Sequence, residues 1–105
     1  MNIFRNKPRL LPEKVYKKVK NGCFYDTSSY QHLFDLQNGR KKYYKSFSGQ
    51  YVRVEIYRIS TGEFYDIYPM SKSEVQNHVE SYEKDAEIVR NIFIDHLDMD
   101  VKIVL

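Results

Sequence analysis

The clearest hydrophobic pattern lies between residues 50 and 68, where apolar and polar side chains alternate. One side of the extended chain carries Val52, Val54 and Ile56. A Ser-Thr-Gly turn at residues 60–62 leads to a returning strand over residues 63–68, and an earlier strand is expected over residues 42–47. These patterns predict a three-stranded antiparallel meander.

A second pattern, with an apolar residue every three or four positions, runs from residue 72 to residue 97. It predicts one long amphipathic helix, which opens with a capping box between Ser71 and Glu74. At about 1.5 Å per residue this helix would be roughly 39 Å long, more than one small sheet can cover. Its first half carries only a narrow apolar stripe, formed by Val75, Val79 and Tyr82. We therefore expect this stripe, on the helix that starts near Lys72, to bind another protein or a second copy of the chain. The alternative is a break near residues 83–85 that folds the first half back onto the sheet.

The segments before the meander each fit two structures. Pro12 and Gly22 suit the two ends of a short N-terminal helix, and a strand centred on residues 15–19 is the alternative. Residues 26–39 fit either a helix or a hairpin that turns at Asn38-Gly39, in which residues 32–36 pair with residues 41–47.

Together these elements predict an α+β fold in a single domain over residues 1–105, with residues 1–11 as a basic N-terminal arm. The sheet is expected to hold three to five antiparallel strands, and the long C-terminal helix to pack on one of its faces. Residues 101–105 read as a short terminal strand that joins this sheet.

The net charge of +3 hides a strong asymmetry along the chain. Residues 1–58 contain 13 Lys and Arg but 4 Asp and Glu, a net charge of +9. Residues 59–105 contain 4 Lys and Arg but 10 Asp and Glu, a net charge of −6. Such a division indicates either a charged partner or two halves that neutralise one another in the fold.

The basic half contains a segment in which cations and aromatic residues follow one another. Cations neutralise phosphates, and exposed aromatic rings stack on unpaired bases. The sequence therefore predicts, as an alternative to protein binding, an electrostatic RNA or DNA interface made by Arg40, Lys41, Lys42, Tyr43, Tyr44, Lys45, Arg53 and Arg58. The competing interpretation is a solvated strand whose lysines block pairing with other sheets.

Candidate catalytic and metal-binding chemistry is sparse. None of the common phosphate-loop, nucleophile-elbow or zinc-protease motifs occurs in the sequence. Cys23 is the single cysteine, and we expect it to be buried or half-buried. The acidic run Asp95–Asp100 with His96 reads as a solvated helix end rather than as a metal site. We expect no cofactor and no metal.

These observations favour a small non-enzymatic protein-binding domain, with a small nuclease as a further alternative. One alanine among many Lys, Asn, Ile and Tyr residues is typical of A/T-rich genes, so an inhibitor or adaptor from a phage or mobile element fits the composition. The lone cysteine and the lack of a long apolar stretch predict a cytoplasmic protein that does not enter a membrane.

Overall fold

The computed structural model describes residues 13–105 and shows an α+β fold with two antiparallel sheets and two helices. The expected basic arm over residues 1–11 lies outside the described residues. In chain order the elements are β1 (Lys17–Lys20), β2 (Cys23–Asp26), β3 (Gln31–Leu36), β4 (Lys41–Lys45), β5 (Tyr51–Ile59), β6 (Gly62–Met70), α1 (Lys72–Tyr82) and α2 (Ala86–His96). A single 3₁₀ turn, Thr27–Ser29, separates β2 from β3.

The larger sheet is a four-stranded meander in the order β3-β4-β5-β6. The expected meander is confirmed, and the alternation in β5 buries Val52, Val54 and Ile56 as predicted. The hairpin alternative for residues 26–39 is also confirmed, because β3 pairs with β4 across a turn in which Asn38 and Gly39 have positive φ. A bulge between His32 and Phe34 shifts the register of that pair.

The sheet is apolar on both faces, and each face has its own cover. The helix face packs against α1 and α2 through a core that contains Phe34, Tyr43, Tyr51, Val75, Val79, Phe93 and Leu97. The hairpin face packs against the segment leading into β1 through a second core that contains Tyr16, Tyr44, Val52, Val54, Ile56 and Ile67. The helices therefore lie on one face of the sheet, as expected, but the opposite face is covered as well.

The predicted N-terminal helix is wrong for the described residues, since residues 17–26 form the hairpin β1–β2. Asn21 and Gly22 have φ values of 51° and 76°, which suit a tight two-residue hairpin turn. The hydroxyl of Tyr65 bonds both the amide and the carbonyl of Lys17, at 3.3 and 2.8 Å. Tyr16 and Thr27 also exchange two hydrogen bonds. These tertiary hydrogen bonds stabilise the extended backbone more than the helix-capping residues would stabilise a helix.

The single long helix is also wrong, because residues 83–85 separate two helices of 11 residues each. The capping box at the start of α1 forms as predicted, with Ser71 and Glu74 bonding each other's backbone amides. Asp85 then caps α2 by accepting bonds from the amides of Glu87 and Ile88. This second cap turns the chain and allows both helices to lie on the sheet.

The expected terminal strand does not form. Asp98 adopts a left-handed φ of 50°, and the amide of Met99 bonds the carbonyl of Phe93, so the chain turns away at the end of α2. Residues 101–105 consequently lie outside both sheets, with Ile103, Val104 and Leu105 exposed.

The burial of α1 gives a stability prediction. Val79 is fully buried between α1 and the sheet, whereas Ile94 on α2 is about half exposed. We expect Val79→Ala to lower the free energy of unfolding by about 2 kcal/mol, through lost burial and the cavity left behind. Ile94→Ala is the matched control, and its effect should stay below about 0.5 kcal/mol. Urea denaturation measures both; equal small effects would contradict the packing of α1 against the sheet.

Candidate functional site

The predicted nucleic-acid segment lies on β4, an interior strand of the four-stranded sheet. Tyr43 points to the helix face and Tyr44 to the hairpin face, and both are at most 2% exposed. Their rings therefore have no free surface on which a base could stack. The cations of the segment flank these two buried rings.

Most cations of the predicted segment already have an acidic neighbour. Lys41 and Arg53 both bond Glu55, with Arg53 Nη1 3.1 Å from Glu55 Oε1. Lys42 lies 3.1 Å from Asp35, and Arg58 lies 3.1 Å from Glu63. The structure thus brings Lys41 and Arg53 together on the helix face, whereas Lys42 pairs with Asp35. The ability of these residues to bind nucleic acid stays a prediction.

The two oppositely charged halves of the chain meet along β6. Lys14 Nζ lies 3.0 Å from Glu63, and Lys18 and Lys20 lie 3.1 and 3.2 Å from Asp66. Lys20 also donates to the carbonyl of Ile67, at the outer edge of β6. Part of the charge asymmetry is therefore neutralised within the fold, which is the second of the two interpretations that the sequence left open.

The effect of this contact is seen in the pKa of Asp66. Partial burial alone would raise its pKa. Hydrogen bonds from Lys18, the Ile67 amide and Lys20, together with the charge of Lys20, outweigh that effect and lower the pKa of Asp66 to about 2. The carboxylate is thereby held ionised where the hairpin β1–β2 meets the sheet.

A cluster of polar side chains fills the space between α1 and the β4–β5 part of the helix face. Its members are Lys41, Tyr43, Arg53, Glu55, His78 and Tyr82, which we call the α1 polar cluster. The hydroxyl of Tyr43 lies 2.9 Å from Nδ1 of His78, and the rings of His78 and Tyr82 meet edge to face at 5.4 Å. Arg53 stacks on the ring of Tyr68 at 4.3 Å, and Lys41 lies over Tyr82 at 4.7 Å.

The protonation states in this cluster follow from burial. Burial raises the pKa of Tyr43 above its usual range, so its hydroxyl stays protonated while it is hydrogen-bonded to Nδ1 of His78. Burial, followed by the charges of Arg53 and Lys41, lowers the pKa of His78 and so favours the neutral imidazole. Tyr43 is almost inaccessible and the side chains of Lys41, Arg53 and Glu55 are at most 17% exposed, so the cluster offers a substrate little contact. We read it as packing that fixes α1 on the sheet.

The predicted partner stripe on α1 divides into two parts. Val75 and Val79 are 0% exposed and belong to the core on the helix face, so a partner cannot reach them while α1 is folded. The spacing of these two valines is explained by their contact with the sheet. Because the helix ends at Tyr82, α1 is short enough to pack on that sheet. Tyr82 itself is exposed, and its role in partner binding stays a prediction.

A group of exposed apolar side chains lies where the hairpin β1–β2 approaches the turn between β4 and β5. Val19 and Phe24 are cross-strand partners and are 67% and 64% exposed, and Phe47 in the turn is fully exposed. We call these three residues the apolar patch. Phe24 and Phe47 border one shallow depression of about 530 Å³, whose other lining residues are Cys23, Tyr25, Ser29, Tyr30, Ser46, Ser48 and Gln50. Cys23 is exposed, which corrects the expectation that it would be buried or half-buried.

Sequence reasoning missed the apolar patch because its members lie on two separate hairpins. The Asn21-Gly22 turn is the local signal that could have placed Val19 opposite Phe24. No local signal brings Phe47 near Phe24, because that proximity depends on how the hairpin β1–β2 packs on the sheet.

A second depression, of about 530 Å³, lies beside the β3–β4 turn and is lined by Gln37, Asn38, Arg40 and Arg58. These two arginines belong to the predicted nucleic-acid set and share this surface concavity. Arg40 follows the turn and Arg58 comes from the far end of β5. The depression therefore combines two guanidinium groups with two side-chain amides.

Residues 13–105 contain no group of three His, Cys, Asp or Glu side chains placed to hold a metal ion. Among those residues, neither helix is long and apolar enough to cross a membrane. Comparison with protein-family models, with curated proteins and with solved structures finds no match to this chain.

The lowered pKa of Asp66 predicts a pH-dependent contribution to stability. A carboxylate with a pKa lower in the folded than in the unfolded state stabilises the fold above pH 3.8, and this contribution is lost as the pH falls towards 2. Asp66→Asn should therefore lower the stability at neutral pH, and the difference from the original chain should shrink below about pH 4. Chemical denaturation at several pH values tests this. Glu80→Gln, at an exposed position on α1, is the control. A pH-independent difference for Asp66→Asn would contradict the ion-pair account.

Proposed function

We propose that this chain is a small, non-enzymatic protein-binding domain and that the apolar patch is its contact surface. The observation that carries the proposal is the exposure of two phenylalanines, Phe24 and Phe47, at the rim of one depression. Clustered exposed apolar side chains are typical of interaction sites, whereas isolated ones are common on any surface.

Energetics support binding at this position. Fully burying one phenylalanine or valine side chain contributes about 1.5–3 kcal/mol, so covering the apolar patch can supply the centre of an interface. Aromatic residues surrounded by polar groups are the usual composition of such centres. The depression has this arrangement, because Ser29, Ser46, Ser48 and Gln50 border its aromatic side chains.

The charges near the apolar patch indicate what kind of partner it fits. Lys17 lies on the same outer side of the hairpin as Val19, and its ammonium is well exposed, 4.0 Å from the carboxylate of Asp26. A partner segment that combines apolar side chains with a carboxylate would match both the patch and this cation.

The cellular role is proposed on composition. An A/T-rich coding bias fits a phage or mobile-element protein, and a small binding domain of this kind would act in the cytoplasm as an inhibitor or adaptor. In that role the partner is a host protein, and binding blocks or redirects the partner's activity.

A second candidate function, electrostatic binding of RNA or DNA, is favoured by one specific observation. Arg40 and Arg58 line the same depression together with the amides of Gln37 and Asn38. Guanidinium groups bind phosphate oxygens in bidentate fashion, and side-chain amides add hydrogen bonds. Arg58 would have to exchange its contact with Glu63 for a phosphate.

The protein-binding proposal predicts the outcome of a random-peptide display experiment. The full chain, immobilised and presented to the library, should enrich peptides with two or three apolar residues next to Asp or Glu. Replacing both aromatic members of the patch, Phe24→Ser with Phe47→Ser, should abolish this enrichment. Because one buried aromatic ring contributes about 1.5–3 kcal/mol, each single variant should weaken peptide binding at least about tenfold.

The matched control is Phe64→Ser, which removes an exposed phenylalanine near the opposite end of the sheet. It should leave peptide enrichment unchanged. Enrichment that survives loss of both patch phenylalanines would reject the apolar patch as the contact surface, and so would the absence of any enriched peptide.

The nucleic-acid alternative predicts a different result with a single-stranded oligonucleotide. Its affinity for the full chain should fall steeply as salt rises from about 50 to 200 mM, because bound phosphates release counterions. Arg40→Glu with Arg58→Glu should remove most of the binding, and Lys72→Glu on α1 serves as a charge-matched control for a single reversal. Fluorescence anisotropy measures each affinity. An affinity that depends neither on the salt concentration nor on the two arginines would eliminate this alternative.

A further inference from the structure

Along the antiparallel hairpin β1–β2, residue pairs whose backbone groups bond each other alternate with pairs whose backbone groups point outward. The amide of Thr27 donates to the carbonyl of Tyr16 at 3.0 Å, so these two residues form a pair of the bonded kind. The register repeats this kind of pair at every second residue of each strand. The backbone groups that point outward from the hairpin therefore belong to Lys17, Val19, Phe24 and Asp26.

The outward groups at the open end of the hairpin are bonded within the fold. The hydroxyl of Tyr65 bonds both the amide and the carbonyl of Lys17, at 3.3 and 2.8 Å. On β2, the carbonyl of Asp26 accepts a hydrogen bond from Oγ of Ser29 at 3.0 Å. Because Tyr65 belongs to β6, the outer edge of β1 lies against the larger sheet, and the outer edge of β2 is the one that faces away from it.

Phe24 is the position at which the outer edge of β2 stays open. Its backbone N–H and C=O point away from β1, and neither has a hydrogen-bond partner among the residues that the structure describes. The depression of about 530 Å³ lies along this edge, since it is lined by Cys23, Phe24 and Tyr25 of β2 and by residues of the turn between β4 and β5. The edge therefore presents one donor and one acceptor to the space beside the apolar patch.

These backbone groups discriminate between a helical and an extended partner. A helix uses its own N–H and C=O groups internally, so a helix lying on the depression would cover the two groups of Phe24 without bonding them. Leaving a buried donor or acceptor unpaired costs about 1–3 kcal/mol. An extended segment instead supplies one acceptor and one donor at the spacing that a strand requires, so its binding avoids this cost.

Side-chain alternation places the partner's apolar residues on the apolar patch. The side chains of Val19 and Phe24 lie on the same outer face of the hairpin, because these residues are cross-strand partners. A strand added beside Phe24 contributes every second side chain to that face. Lys17 is exposed on the same face, so a carboxylate fits this side of the segment as well. The matching occupant is an extended peptide segment with apolar residues at alternate positions.

We propose that the protein partner of the apolar patch binds as an extended segment and pairs with the outer edge of β2 through the backbone N–H and C=O of Phe24. This inference rests on the proposed function, since it specifies how a partner is held at the same surface. Binding converts the two-stranded sheet into a three-stranded one. The backbone bonds contribute affinity for any extended chain, and the side chains that meet the patch select among sequences.

Amide-to-ester replacement in the partner tests the backbone pairing without changing a side chain of either molecule. The probe is a synthetic copy of the most strongly enriched display peptide, with one backbone N–H at a time replaced by an ester oxygen. The ester that removes the N–H bonded to the carbonyl of Phe24 should weaken binding to the full chain about fivefold, since one hydrogen bond contributes about 1 kcal/mol. Esters at N–H groups that point away from β2 are the matched controls and should leave the affinity unchanged.

Amide exchange locates the pairing on the chain itself. Exchange of the Phe24 amide proton with solvent, followed by NMR with and without a saturating amount of the same peptide, should slow at least about fivefold, because its new hydrogen bond must open before exchange occurs. The amide of Tyr25 is the internal control. It already faces β1 in the hairpin, so its exchange should change much less.

Two results would overturn the inference. Every ester could bind as tightly as the parent peptide, or the Phe24 amide could exchange as fast in the complex as in the free chain. The proposed function is judged separately by the peptide enrichment and its dependence on the two patch phenylalanines. A chain that binds peptides through the patch but tolerates every ester keeps the function and loses the strand pairing. A chain that enriches no peptide loses both.

Discussion

The four-stranded sheet must bury apolar side chains on both of its faces, and the rest of the fold follows from this constraint. Neighbouring residues of β4, Tyr43 and Tyr44, point to opposite faces and are both buried. One face therefore needs α1 and α2 as a cover, and the other needs the segment around Tyr16 with the hairpin β1–β2. The cover of the hairpin face is a single hairpin, and Val19 and Phe24 are exposed on its outer side.

The sequence predicted the elements whose signals are local. The strict alternation of β5 and the capping box at Ser71 each depend on residues within a few positions of one another, and both were confirmed. The helix break was predictable in part, since Asp85 is a good N-cap, but the continuous apolar spacing favoured one helix. Asn21-Gly22 is the same turn dipeptide as Asn38-Gly39. The helix-capping residues of this segment nevertheless favoured a helix over a hairpin. The candidate surface could not be predicted, because it is assembled by tertiary packing.

The charge asymmetry of the chain contributes to the stability of the fold, so it is weaker evidence for a charged partner. Cations of the basic half bond acidic groups on β6, with Asp66 accepting from two lysines of the hairpin β1–β2. Charges used in this way attach the hairpin and are less available to phosphates. The nucleic-acid alternative therefore depends mainly on Arg40 and Arg58, which line one depression. The protein-binding proposal gains weight by comparison, since all three members of the apolar patch are exposed among the residues that the structure describes.

The central claim is that the apolar patch is where this chain contacts protein. Hydrogen–deuterium exchange, recorded on the original chain with and without a saturating enriched acidic-apolar peptide, tests it most directly. The account predicts slower exchange in residues 17–26 and in the turn over residues 46–50, with α1 and the β3–β4 turn unchanged. Protection confined to α1, to residues 37–40 or to the tip of the β5–β6 hairpin would contradict the claim.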